Sequence, residues 1–313
     1  MSVGKALHYG SPLRYPGGKA KLAPFFKTLL RENGLLDCTY VEAFAGGAGV
    51  GLALLLHGYV NDIVLNDLSE PIYSFWISVL ADPERFERDI LEVPLNVREW
   101  ERQREAFRAG IAAGRYELGF AAFYLNRTNH SGVLNGGMIG GYAQTSAYRL
   151  DARFNRTELA ARVRRIAKQR DQIKVTNLDA TRFLRQLKQY CEISSSILYI
   201  DPPYFVKGRD LYYDYYKAAD HEVLRDEILA LPDDTKWVVS YDNVEQIRLL
   251  YAGLPSVSYN LSYSVRNGRN GNEVIFFSRN LVAPVERLAP PRPSGESPDY
   301  ETVQVVPVAA SAG

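Results

Sequence analysis

The residues best suited to chemistry stand together at Asp201-Pro202-Pro203-Tyr204, behind the apolar run Ser196-Ile-Leu-Tyr-Ile200. Two prolines remove two backbone N–H donors and fix φ, so the carbonyls there are left to accept hydrogen bonds. Asp201 adds a carboxylate to the same rigid turn, and Tyr204 adds a flat ring. Two acceptors and a ring on one segment suit an exocyclic amino group on a flat base. A plain strand-ending turn is the competing reading. It is common for Asp-Pro alone and much less so for the whole tetrapeptide. The second group is the glycine turn Ala45-Gly46-Gly47-Ala48-Gly49 with Asp67, 21 positions after Gly46. Such a turn lets backbone amides and a helix N-terminus approach a ligand, and an acid at the next strand end accepts from ribose hydroxyls. The pair points to an adenosine-containing cofactor without separating a dinucleotide from S-adenosylmethionine. Glycines that only permit close helix–strand packing are the alternative.

The elements needed to position these groups are legible as an α/β rhythm. Thr39–Phe44 reads as a buried strand, Val50–Leu56 as a helix closed by His57-Gly58, and Asp62–Leu65 as a second strand ending at Asn66-Asp67. Helices are expected over 70–80 and 82–91. The middle differs: a charged amphipathic helix over 97–113, an apolar stretch over 120–125, a Gly-, Asn- and Ser-rich loop over 126–144 and a basic helix over 157–170. The rhythm resumes with strands at 173–176, 196–200 and 236–240, helices at 180–189, 220–230 and 244–250, and a closing hairpin of 259–265 with 273–278. Beyond about residue 284 the chain is Pro-, Ser- and Ala-rich without periodicity and reads as a flexible tail.

Composition narrows the class. The chain has 313 residues, 46% hydrophobic and 23% charged, which excludes a wholly disordered protein, a collagen and a coiled coil and allows one large domain or two moderate ones. Cys38 and Cys191 are too few for a disulfide framework or a four-thiolate zinc site, and the four histidines share no metal spacing. His8 and His221 are read as surface groups and His57 as a helix end, with His130 kept apart because it sits in the 126–144 loop. The longest apolar run, Val50–Leu56, is far short of a membrane span, and the N-terminus lacks a secretory apolar core. A soluble protein of a reducing compartment, with no membrane partner and no metal, is expected. The net charge of +1 hides an asymmetry: residues 95–190 hold 18 basic and 8 acidic residues. That balance suggests a middle segment facing nucleic acid, although solvated helix faces also explain runs of arginine.

Taken in order, these motifs resemble the Dam-like class of DNA N6-adenine methyltransferases over about residues 11–280. Arg14-Tyr15-Pro-Gly-Gly-Lys19 is similar to the family's N-terminal motif, which implies that Tyr15 and Lys19 contact the methionine part of S-adenosylmethionine. Glu42, Phe44, Gly46 and Gly47 fall in the segment that looks like the cofactor glycine motif, and Asp67 on the ribose-binding acid. Asn177-Leu-Asp179 resembles the motif whose Asp reads the cofactor adenine, with Ala180 where relatives often carry Phe. Asp201, Pro202, Pro203 and Tyr204 match the catalytic motif, with Asp201 also at the cofactor, and Tyr204 would stack on the target base. Ser240–Asn243 and 266–275 resemble later segments.

The resemblance implies an α/β fold: a doubly wound Rossmann-like methyltransferase sheet with an inserted, mainly helical target-recognition domain. Residues 1–94 and 171–283 would form the catalytic domain, 95–170 the recognition insertion and 284–313 the tail. The expected substrate is double-stranded DNA, from which an adenine is flipped and methylated, with S-adenosylhomocysteine as product. Asn126, Arg127, Asn129 and Ser131 are candidates for base edges, and Arg127, Arg149, Arg153, Arg156, Arg162, Arg164, Arg165 and Lys168 for phosphates. The resemblance admits a cognate restriction endonuclease as a further partner and implies a cytoplasmic enzyme of a bacterium or its phage. Methylation of RNA adenine or of cytosine N4, a silent DNA-binding module and a nucleotide-dependent oxidoreductase are the competing functions. Asp rather than Ser before Pro-Pro argues against cytosine, and a hydride-transfer enzyme has no use for the tetrapeptide.

Overall fold

A computed structural model describes residues 10–14, 19–205, 216–262 and 270–284. Tyr15, the 206–215 stretch after the catalytic turn, the 266–269 part of the hairpin turn and residues 285–313 of the expected tail lie outside the described residues. The described strands form one sheet in the order β3-β2-β1-β4-β5-β7-β6. They are β1 (Cys38–Glu42), β2 (Val60–Asn66), β3 (Ile173–Thr176), β4 (Ser196–Ile200), β5 (Lys236–Asp242), β6 (Ser256–Ser262) and β7 (Asn270–Phe277). β1 to β5 are parallel, and β7 runs antiparallel between β5 and β6. This is the expected α/β fold of the doubly wound, Rossmann-like methyltransferase type. Its switch point falls between β1 and β4, where ligands bind in such sheets.

The period of two along each strand sorts the core into two layers. Tyr40, Ile63, Ile197, Tyr199, Val238 and Ile275 face one layer. Against them lie α1 (Ala23–Glu32), α2 (Gly49–Leu56) and α3 (Glu70–Ala81). Val41, Val64, Leu198, Ile200, Val239 and Val274 face the other, under α8 (Ala180–Arg185), α9 (Ala218–Leu229) and α10 (Glu245–Leu250).

Of the middle helices, α6 (Arg115–Thr128) packs on α3, α7 (Arg156–Ala167) on α4 (Pro83–Glu92) and α3, and α5 (Val97–Ala109) on α6. Phe75, Phe86, Phe120, Phe123 and Phe154 form one aromatic cluster there. Gly119 fixes the depth of α6: a Cβ at that position would lie 2.4 Å from the Ser74 carbonyl oxygen. Two sequence expectations need correction. The apolar stretch 120–125 is the interior of α6, so Asn126 and Arg127 stand on its last turn and not in a loop. His221 is buried on α9, its Nδ1 2.9 Å from the Tyr241 hydroxyl, because aromatic rings of Phe205, Tyr216 and Tyr241 surround it.

Candidate active site

A cleft of about 1410 Å³ opens at the switch point. Glu42, Phe44 and Gly47 enter it from the end of β1, Asp67 from β2, Asp201 and Pro203 from β4. Asp67 is oriented by two backbone amides: Gly46 donates to Oδ2 at 2.7 Å and Ser69 to Oδ1 at 2.9 Å. Behind it, Asn66 is buried and ties Ala43, Leu178 and Thr176 together, so three strand ends move as one. Glu42 is buried and accepts from the Gly51 amide at 2.9 Å; burial pushes its carboxyl up to about 8, against that hydrogen bond and the nearby Tyr40 hydroxyl. Asp179 caps α8, its Oδ1 accepting from the Thr181 and Arg182 amides.

At the end of β4, Asp201 Oδ1 accepts from Ser240 Oγ at 2.6 Å and lies 3.2 Å from Lys19 Nζ. Ser240 in turn is 2.8 Å from the Tyr199 hydroxyl. Among the described residues Oδ2 of Asp201 takes no hydrogen bond, and the residue lines the cleft. Burial raises its pKa, and Glu273 adds to the rise, while Lys19 and Ser240 oppose it. Lys19 is buried with Nζ 2.9 Å from both the Tyr204 hydroxyl and Glu273 Oε2. Glu273 also accepts from the hydroxyls of Tyr204 and Tyr259.

Tyr204 is therefore only 5% exposed, with its hydroxyl held in this network. Phe44, Phe107, Tyr199 and Tyr216 line the cleft, and of these Phe44 and Tyr216 meet edge to face at 5.8 Å. Ser240, Glu273, Tyr259 and Tyr216 were not singled out as site residues from the sequence. Ser240 and Glu273 do fall in the 240–243 and 266–275 segments that resemble later family motifs.

Arginines of the basic middle, with Arg14 from the N-terminal segment, contribute a second wall. Arg14, Arg127, Arg153 and Arg162 line the same cleft. Ser131 is exposed in a left-handed backbone conformation, φ 56°, next to Gly132 at φ 77°. A Cβ on Gly132 would meet the Arg14 carbonyl oxygen at 2.4 Å.

Three of the expected DNA contacts are corrected. Asn126 is 1% exposed and clamps the Arg14 backbone from both sides while donating to the Gly132 carbonyl. Asn129 is fully buried, accepting from Trp100 Nε1 and donating to the Val133 and Leu134 carbonyls. Arg156 donates to the Ile90, Leu91 and Val93 carbonyls at the C-terminus of α4. All three spend their donors inside the protein, because buried backbone carbonyls must be satisfied.

Sheet order, switch-point cleft and strand-end carboxylates define a methyltransferase of the Rossmann-like class. The model for the D12 class N6 adenine-specific DNA methyltransferases matches residues 15–264, and the chain belongs to that family. It is accordingly an adenine-specific DNA methyltransferase, with DNA as its substrate. No curated protein matches it. Among solved structures, the rRNA methyltransferase aviRa from Streptomyces viridochromogenes matches twice, at 12% and 13% identity and TM-scores of 0.39 and 0.42. Those matches cover 89% and 90% of this chain and 91% and 93% of that one. A conserved hypothetical protein of Streptococcus pyogenes matches at 8% identity and a TM-score of 0.33, over 78% of this chain and 88% of its own. At such scores these likenesses carry no argument. Among the described residues no group of His, Cys, Asp and Glu could hold a metal ion, and no helix is long and apolar enough to cross a membrane.

Proposed function

We propose that the protein methylates N6 of an adenine flipped out of a short DNA site, using S-adenosylmethionine. The reading rests chiefly on Asp201, whose Oδ1 is fixed by Ser240 and Lys19 on a cleft wall shared with Asp67. The residues present fit the cofactor: Asp67 offers acceptors for ribose hydroxyls, the Gly46-Gly47 turn allows close approach, and Phe44 offers a ring. S-adenosylmethionine supplies the activated methyl group, so the chain itself supplies orientation and electrostatics.

The adenine amine is a poor nucleophile because its lone pair is delocalised into the ring. Asp201 Oδ2 and the Pro202 or Pro203 carbonyl accept its two hydrogens, which favours a tetrahedral nitrogen with the lone pair aimed at the methyl. Orientation of this kind is worth up to roughly 7–11 kcal/mol in well-aligned cases. Lys19 opposes the desolvation that raises the Asp201 pKa. Tyr204 and Glu273 hold Lys19 in place, while Phe44 and Tyr216 flank the base.

The test supplies labelled S-adenosylmethionine with unmethylated genomic DNA or with total RNA, followed by nucleoside analysis. N6-methyladenine in DNA is expected. Label confined to RNA, or recovered as N4-methylcytosine, overturns the reading.

A further inference from the structure

The arginine wall of the cleft is under-satisfied in a way the catalytic residues are not. Arg14 and Arg127 make no side-chain hydrogen bond or ion pair among the described residues, and Arg14 Nη1, Arg127 Nε and Arg162 Nε are buried without a partner. Arg162 is partly held, donating to the Ser11 carbonyl at 2.7 Å and to Glu158. Arg153 is exposed at the rim. Glu158, the carboxylate acting on Arg127, is itself paired with Arg162. Burial, then Arg14, Arg162 and Arg153, hold the Arg127 pKa down to about 9, and burial beside Arg153 lowers that of Arg14. Such mutual repulsion destabilises the free protein, since buried cations need a counter-charge. The arrangement is also built: Asn126 grips both backbone polar groups of Arg14, and Gly132 lets the two segments touch.

We propose that Arg14, Arg127, Arg153 and Arg162 form a phosphate site, which takes a backbone phosphate flanking the target adenine as that nucleotide enters the cleft. This rests on the flipped-adenine reading above. An extruded nucleotide carries its flanking phosphates with it, and guanidinium groups bind phosphate oxygens bidentately. The α-carboxylate of the cofactor is the other anion that could reach the cleft. Its own ammonium cancels its charge, whereas each phosphodiester adds a full negative charge to a cluster with an excess of cations. The wall then doubles as a device for holding the base out: a phosphate seated there opposes return of the nucleotide to the stack.

The test compares wild type with Arg127→Gln and with Arg153→Gln, the exposed member, in three readouts: binding of a fluorescent duplex cut from unmethylated genomic DNA across a salt series, S-adenosylmethionine binding by calorimetry, and the thermal midpoint. For Arg127→Gln the DNA Kd should rise at least roughly tenfold and the log–log salt slope should fall by about 1. Cofactor affinity should be kept, and the thermal midpoint of the free protein kept or raised, because one repelling cation is gone. Arg153→Gln should weaken DNA binding in the same sense without affecting folding. Lost cofactor affinity with DNA binding intact would overturn the proposal in favour of the carboxylate. Unchanged DNA affinity and slope in both variants would reduce the cluster to a structural one. DNA binding that behaves as expected in a protein without methyl transfer would leave this site standing and remove the reading it rests on.

Discussion

Asp201 and Asp67 are both carboxylates at strand ends, yet one is held by a serine and a lysine and the other by two backbone amides. The amides set Asp67 for neutral donors such as ribose hydroxyls. Asp67→Ala removes charge-assisted hydrogen bonds worth about 1.5–3 kcal/mol. Cofactor Kd should therefore rise roughly 10–100-fold, with DNA affinity retained, as calorimetry and filter binding would show. Glu42 carries a different consequence. Its carboxyl is raised from the ordinary 4.5 to about 8, first by burial. Between those values the folded protein keeps a proton that the unfolded chain has released, so stability falls as pH rises through the window. Glu42→Gln should flatten that slope in melting midpoints taken across the range. An unchanged slope would place the titration elsewhere. For Asp201 the same sign, a raised pKa, means that the methylation rate should fall on acidification at a higher pH than an ordinary aspartate allows.

The helices of the basic middle show where local reading stops. α6 is buried on most of its surface, so its interior lacks the apolar–polar period that marks a helix, and Asn126-Arg-Thr-Asn129 reads as loop by composition alone. Once α6 is pressed onto α3, those asparagines lie inside and cap backbone groups that water cannot reach. Arg156 illustrates the same override, since a basic residue at the start of α7 reads as a phosphate contact until α4 is packed beside it. Arg156→Ala should cost about 1–3 kcal/mol of stability through the unmet carbonyls of α4. DNA affinity at fixed salt should be unchanged. A stable variant that binds DNA more weakly would restore the phosphate role. Strands β3 and β4 coincide with their expected spans, because short β-branched or apolar runs bounded by polar turns leave little ambiguity.

On the scale of the whole molecule, the sheet order draws the ends of β1, β2 and β4 to one cleft, joining residues separated by as many as 254 positions, as in the Lys19–Glu273 pair. The legible part of the site is the part written in consecutive residues: the Asp201 turn, and the glycine turn with its acid. Ser240, Glu273 and Tyr216 were illegible as site residues because their roles arise only from strand register and from distant partners. Arg127 and Arg162 were visible as charge, but their shared wall with Arg14 was not. The proposed mechanism separates binding from chemistry within this cleft, with Asp201 reserved for the latter. Asp201→Ala tests it most directly, since Lys19 retains Glu273 and the fold should survive. Single-turnover transfer of labelled methyl into DNA, measured beside cofactor and DNA affinities, should fall by at least about a hundredfold with both affinities kept. A variant that still methylates DNA at the wild-type rate, or one that loses cofactor binding in step with activity, would contradict it.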